Sequence, residues 1–106
     1  MKQINHLIIQ AAKKKMIYTQ HAIDEMNSED EMITVDEVRS VIYHGEIIED
    51  YPEDKRGHSF LMFGIPSSKR SVHVVCAPKD KYLAIITAYI PSLEKWEKDY
   101  KTRRKK

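Results

Sequence analysis

The stretch His58-Ser59-Phe60-Leu61-Met62-Phe63-Gly64-Ile65-Pro66-Ser67-Ser68-Lys69-Arg70-Ser71-Val72-His73-Val74-Val75-Cys76-Ala77 decides the class of fold. Two apolar runs flank a polar, proline-led turn at Pro66 to Lys69. The first run, 58–65, is apolar at consecutive positions from Phe60 to Phe63, which suits a strand covered on both faces. The second, 70–77, places Val72, Val74 and Cys76 on one face and Ser71, His73 and Val75 on the other. A turn this short joins strands only in antiparallel fashion.

Working outward, Ile47, Ile48 and Tyr51 read as a strand closed by Pro52, and Glu53 to Gly57 as a charged turn. Downstream, Pro78-Lys79-Asp80-Lys81 leads into a strand from Tyr82 to Ile90, which Pro91 ends. The result is a meander of four strands. Helices precede it. Ile4, Leu7, Ile8 and Ala11 recur at helical spacing over 2–15, and Lys13 to Lys15 complement the negative end of that helix. After a short connection, Thr19 is an N-cap for a helix over about 19–27. Asn27 to Glu31 is a polar loop. Thr34-Val35-Asp36-Glu37 is a capping box for a helix over 35–44, with Val35, Val38, Val41 and Ile42 as its apolar stripe and Gly45 as its stop. Beyond the meander, Ser92 caps a predicted last helix with Leu93, Trp96 and Tyr100 on one side. Segregated helices and strands predict an α+β two-layer domain: N-terminal helices, a four-stranded antiparallel sheet and a C-terminal helix. At 106 residues the chain is expected to form a single domain, 1–106, ending in a basic tail, 101–106.

The composition bounds function. Hydrophobic residues make up 42%, enough for a packed core. The single cysteine, Cys76, cannot form an internal disulfide or a cysteine-based zinc site, and points to a reducing compartment. Leu7-Ile8-Ile9 is too short for a secretory signal, and no apolar run approaches a membrane span. The expectation is a cytoplasmic protein without membrane contact. The net charge of +2 conceals an uneven distribution: +4 over residues 1–23, −11 over 24–54 and +9 over 55–106. The acidic block repels phosphate. The basic half, ending in Lys101-Thr102-Arg103-Arg104-Lys105-Lys106, attracts it if it is not a solvated terminus.

Five histidines are the candidates for proton transfer. None is spaced for a helical metal pair, so no metal site is expected. His6 and His44 fall on polar helix faces. His21 lies in the first turn of its helix with Glu25 four residues on, where a carboxylate favours and orients the imidazolium, or simply forms an exposed surface pair. The face of His73 depends on the hairpin at Pro78 to Lys81. With a three-residue loop Ala77 opposes Lys81, and His73 shares a face with Ile85, Thr87 and Tyr89. With a four-residue loop Ala77 opposes Tyr82, and the neighbours are Ala84, Ile86 and Ala88. The first register makes a polar cluster of Ser71, His73, Thr87 and Tyr89; His73 as a hydrogen-bonded core residue is the other reading. Cys76 reads as a small core residue. Arg39, the only base in the acidic block, pairs with Asp36 or Glu37 on the simplest reading. Only three glycines are present and none forms a phosphate loop, so no nucleotide cofactor is expected.

Several of these stretches occur together in a known family. They are Tyr18-Thr19-Gln20-His21-Ala22 with Met26, Thr34-Val35-Asp36-Glu37-Val38, Glu49-Asp50-Tyr51-Pro52, Val72-His73-Val74-Val75, and Ile86-Thr87-Ala88-Tyr89-Ile90-Pro91 with Trp96 and Arg103-Arg104. Over about residues 17–104 the chain resembles the small prokaryotic family catalogued as domain of unknown function 4258. That family has been grouped with compact nucleases of the barnase–EndoU–colicin–RelE type, in which helices also precede an antiparallel sheet. The resemblance implies a toxin of a toxin–antitoxin pair that cuts RNA without metal, with RNA or the ribosome as substrate and an antitoxin protein as partner. It matches His21 and His73 to the family's histidines, and Thr87 and Tyr89 to its last-strand pair. Where the family usually has arginine four residues after the helix histidine, this chain has Glu25. An arginine there could hold a scissile phosphate and a glutamate repels it. Phosphate binding is then expected at Arg56, Lys69, Arg70, Arg103 and Arg104.

Two functional expectations follow. One is a metal-independent RNA endonuclease in which His21 or His73 takes the ribose 2′-OH proton and Tyr89 or the other histidine protonates the leaving oxygen. The other is a non-catalytic module that binds protein or RNA. Catalysis requires His21 and His73 to converge on one phosphate.

Overall fold

The computed structural model describes residues 2–105; Lys106, the last residue of the basic tail, lies outside them. Helix α1 spans Lys2–Lys14, strand β1 Met16–Tyr18, helix α2 Gln20–Met26 and helix α3 Val35–His44. Strands β2 (Glu46–Tyr51), β3 (Ser59–Gly64), β4 (Val72–Pro78) and β5 (Leu83–Tyr89) follow. The caps predicted at Thr19 and Thr34 are present. Thr19 Oγ1 accepts from Ala22 N at 3.0 Å. Thr34 and Glu37 form the reciprocal capping box, each bond 3.0 Å long.

The sheet has five strands in the order β1-β5-β4-β3-β2, so four is corrected to five. The meander β2 to β5 is antiparallel as expected. The addition is β1, inside the segment read as a short connection, which pairs parallel with β5. A three-residue strand carries no periodicity of its own and exists through its partner. Leu83 N donates to Lys15 O at 2.8 Å and Thr19 N to Ile85 O at 3.0 Å, so the pairing also aims the chain into α2.

The three helices cover one face of the sheet. Ile8, Ala22, Met26, Val38, Val41 and Ile42 pack there against Phe60, Met62, Val72, Val74, Cys76 and Ile85. β3 is buried along its whole length, as its unbroken apolar run requires. The other face carries a smaller core of Leu61, Val75, Ala77 and Ile86 beneath Trp96.

The expected C-terminal helix is absent among the described residues, and this is the second correction. The chain turns once after Ser92, whose carbonyl accepts from Trp96 N at 3.0 Å. It does not continue. Asp99 captures the backbone of Lys101 and Thr102 at 2.9 and 3.1 Å, Tyr100 takes a positive φ of 59°, and Glu97 N bonds back to Thr102 O at 2.8 Å. A short acidic side chain that bonds nearby amides competes with helix propagation. The segment instead folds over the sheet, joined by a bridge between Trp96 and Arg103. No helix among the described residues is long and apolar enough to cross a membrane.

Candidate functional site

The β4–β5 hairpin positions the site. Ala77 stands opposite Ala84, which matches neither predicted register at the turn. Cys76 pairs with Ile85 but Val75 with Thr87, so Ile86 is the extra residue of a β-bulge. Before the bulge, Ala84 and Ile86 share the face of His73; beyond it, Thr87 and Tyr89 do. The bulge also leaves the Ile86 carbonyl to accept from Thr19 Oγ1 at 2.8 Å. The cap residue of α2 is thereby fastened to β5, and His21 is carried to the end of that strand.

There a cleft of about 510 Å³ opens. His21 and Glu25 of α2, Glu31 of the loop that follows, Thr87 and Tyr89 of β5, and Ile90, Ser92, Lys95, Trp96 and Arg103 beyond it line the cleft. Glu31 Oε1 accepts from Ile90 N at 3.1 Å and so ties the loop after α2 to the end of β5. The cleft therefore gathers four predicted site residues, His21, Thr87, Tyr89 and Arg103. His21 is exposed, and no hydrogen bond joins it to Glu25. The nearer polar pair on α2 is Gln20 with Asp24, at 2.9 Å.

His73 lies below the cleft and is fully buried. Its Nδ1 is 3.1 Å from the Tyr89 hydroxyl and its Nε2 is 2.7 Å from the Tyr100 carbonyl oxygen. Trp96, Phe63 and Tyr89 meet the ring edge to face. Burial pushes the imidazole below its usual range, against the Tyr100 carbonyl and Glu49, which push it up. Burial also raises the Tyr89 phenol to about 12. With both ring nitrogens occupied, His73 itself does not reach a ligand in the cleft.

Arg103 is held in place by Glu49 through two hydrogen bonds of 2.8 and 3.0 Å and lies 4.6 Å above the Trp96 ring. Burial alone would raise the Glu49 carboxyl; Arg103 and Tyr51 hold it below the usual range. The other predicted phosphate binders lie elsewhere. Arg70 bonds Glu37 at 2.8 and 3.1 Å and the carbonyls of Glu31 and Met32 at 2.5 and 3.2 Å, in a second hollow beside Ser68. Lys69 is exposed in the adjacent turn, with a positive φ of 68°. Arg56 grips Asp54 at 3.0 Å in the turn after β2. Arg104 is 3.3 Å from Glu97 and bonds the Leu93 carbonyl. Arg70, not Arg39, is thus the partner of Glu37. Among the described residues, no three His, Cys, Asp or Glu side chains are grouped to hold a metal ion.

Lys95 and Glu31 are cleft residues that the sequence does not mark, and Ser92, read there only as a helix cap, is a third. The helical spacing places Lys95 within the predicted last helix behind its Ser92 cap, and no local motif marks Lys95 for a site. Only the long-range docking of Trp96 brings them beside β5.

No curated protein and no solved structure matches the chain. One family model does match, over residues 18–90, from the end of β1 past the end of β5. The span includes His21, His73, Thr87 and Tyr89 and stops short of Lys95, Trp96 and Arg103. On that match the chain belongs to the family described as Domain of unknown function (DUF4258).

Proposed function

We propose that the cleft binds the sugar–phosphate backbone of RNA and cleaves it through the ribose 2′-hydroxyl, as a compact nuclease of the RelE type. The observation that supports this reading is the meeting of His21, Thr87 and Tyr89 with Lys95 and Arg103 in one cleft. His73 does not converge with His21 on the cleft, contrary to the expectation for catalysis, so in this reading the exposed imidazole of His21 and the two cations lining the same cleft carry the chemistry. His21 takes the 2′-OH proton. The 2′-oxygen attacks the adjacent phosphorus, the bond to the 5′-oxygen breaks, and the departing oxygen takes a proton from the Lys95 ammonium. The products are a 2′,3′-cyclic phosphate and a 5′-hydroxyl. Lys95 and Arg103 offset charge on the phosphoryl oxygens, and Thr87 and Tyr89 orient the sugar. DNA, which lacks the nucleophile, is inert.

One observation favours a second reading, a non-catalytic binding module. Glu25 and Glu31 line the same cleft and repel phosphate there. The acidic segment 24–54 would then face a basic partner protein.

RNA cleavage in EDTA separates the two, with free RNA and translating ribosomes both offered. The nuclease reading expects cleavage that falls about 10²–10⁴-fold in His21→Ala, the usual contribution of a general base. A folded wild-type protein that cuts neither substrate, or a His21→Ala variant as active as the parent, overturns it.

A further inference from the structure

Beneath the cleft, three groups form a short chain of hydrogen bonds whose polarity follows from its far end. The Tyr100 carbonyl oxygen can only accept, so His73 Nε2, 2.7 Å away, carries a proton. His73 is fully buried, enclosed by Trp96, Phe63 and Tyr89, where a neutral ring is the stable form. A neutral imidazole protonated at Nε2 is bare at Nδ1. The only described hydroxyl on that nitrogen is Tyr89, 3.1 Å away, and it must therefore be the donor. The charged groups nearest this chain, Glu49 and Arg103, are bonded to each other. Among the described residues no donor reaches the Tyr89 oxygen, whose acceptor capacity is left to whatever occupies the cleft that Tyr89 lines.

From this geometry we infer that His73 is a positioning residue that turns the Tyr89 hydroxyl inward, so that Tyr89 meets ligands only as a hydrogen-bond acceptor and selects a hydroxyl-bearing sugar over its deoxy counterpart. The ribose assignment rests on the RNA reading of the cleft; the orientation of Tyr89 does not. A phenol whose proton faces inward cannot also protonate a leaving oxygen, so its part is recognition. The selectivity is a second dependence on the 2′-OH, present in binding and separate from the need for a nucleophile.

Two measurements test the inference on the full chain. The first is a long-range proton–nitrogen NMR spectrum of the ¹⁵N-histidine-labelled wild type near neutral pH. His73 is expected in the Nε2–H form with an unprotonated Nδ1, and Tyr89→Phe is expected to shift the Nδ1 resonance towards that of a free acceptor. A ring protonated at Nδ1, or at both nitrogens, overturns the orientation of Tyr89. The second is fluorescence anisotropy with a 12-nucleotide RNA and the DNA of the same sequence, in a His21→Ala background that blocks turnover. RNA is expected to bind about tenfold more tightly than DNA, the scale of one hydrogen bond, and Tyr89→Phe to bring the two to parity. Circular dichroism verifies that the variants are folded. Equal binding of RNA and DNA by the parent, or no binding of either, overturns the sugar assignment. The cleavage assay in EDTA judges the nuclease reading separately, since a correct His73 tautomer in an inactive protein leaves the orientation standing.

Discussion

Arg103 and Glu49 sit 54 residues apart in the chain and meet through two parallel hydrogen bonds, Nε to Oε2 at 2.8 Å and Nη2 to Oε1 at 3.0 Å. This fork fastens the C-terminal segment to β2. It also fixes one wall of the cleft, since Arg103 lies over Trp96, a large side chain of that segment that is fully buried.

Glu49→Gln keeps the shape but removes the charge and one of the two acceptors. The pair is partly solvated, so the expected cost is about 1 kcal/mol by urea unfolding. The sharper effect is local. Amide exchange in residues 95–104 should accelerate while β3 and β4 keep their protection. Uniform acceleration across the sheet, or none, would show that the fork does not govern the segment.

The Glu37–Arg70 pair carries a pH signature. Hydrogen bonds from Arg70, then from Ser68 and the Thr34 backbone, pull the Glu37 carboxyl from about 4.5 down to about 2, against the opposing effect of burial. A carboxylate with a depressed folded-state pKa contributes stability in full above its unfolded value. The contribution is lost as pH falls from about 4.5 towards 2. For this buried carboxylate it is on the order of 2 kcal/mol. Unfolding free energies measured at pH 7, 4 and 3 should therefore decline, and Glu37→Gln should decline less while starting lower. Parallel pH profiles for the two proteins would remove Glu37 from the account.

What could be read from the sequence divides along a physical line. Thr19, Thr34 and Glu37 were legible because capping is local chemistry, completed within three residues. The meander was legible because period-two patterning and proline-led turns are local too. β1 was not, since Met16 to Tyr18 become a strand only by lying against β5. The last segment misled because Leu93, Trp96 and Tyr100 have helical spacing. The turn at Asp99 outweighs that spacing, and Leu93 remains exposed. At the site, His21, Thr87 and Tyr89 could be singled out one by one. Their meeting depends on the unpaired Ile86 of the bulge, and neither simple hairpin register contains it.

Gly45 tests the junction between helix and sheet. Its backbone is extended, with φ −81° and ψ −175°, a region open to any residue, so conformational freedom is not the reason for glycine. The reason is space. A Cβ there would lie 2.5 Å from both the Phe63 and Val41 carbonyl oxygens. Gly45→Ala must push β2 or the end of α3 away from β3, at an expected cost of about 1–3 kcal/mol. A thermal melt measures it directly. An unchanged midpoint would mean that the α3–β2 turn yields without loss.

Lys95 offers a test of the cleft that does not depend on turnover. If its ammonium meets a phosphate, binding releases one counterion fewer when it is removed. Lys95→Ala should then lower RNA affinity several-fold at low salt and reduce the slope of log K against log salt by about 0.7, the single-strand value for one contact. Lys98→Ala is the control, since Lys98 is also exposed but does not line the cleft. The comparison isolates position from charge, because both variants change the net charge of the chain by the same amount. A slope altered equally by the two substitutions would reveal only the general field of the basic half. A slope altered by Lys95→Ala alone places a phosphate in the cleft that His21 lines.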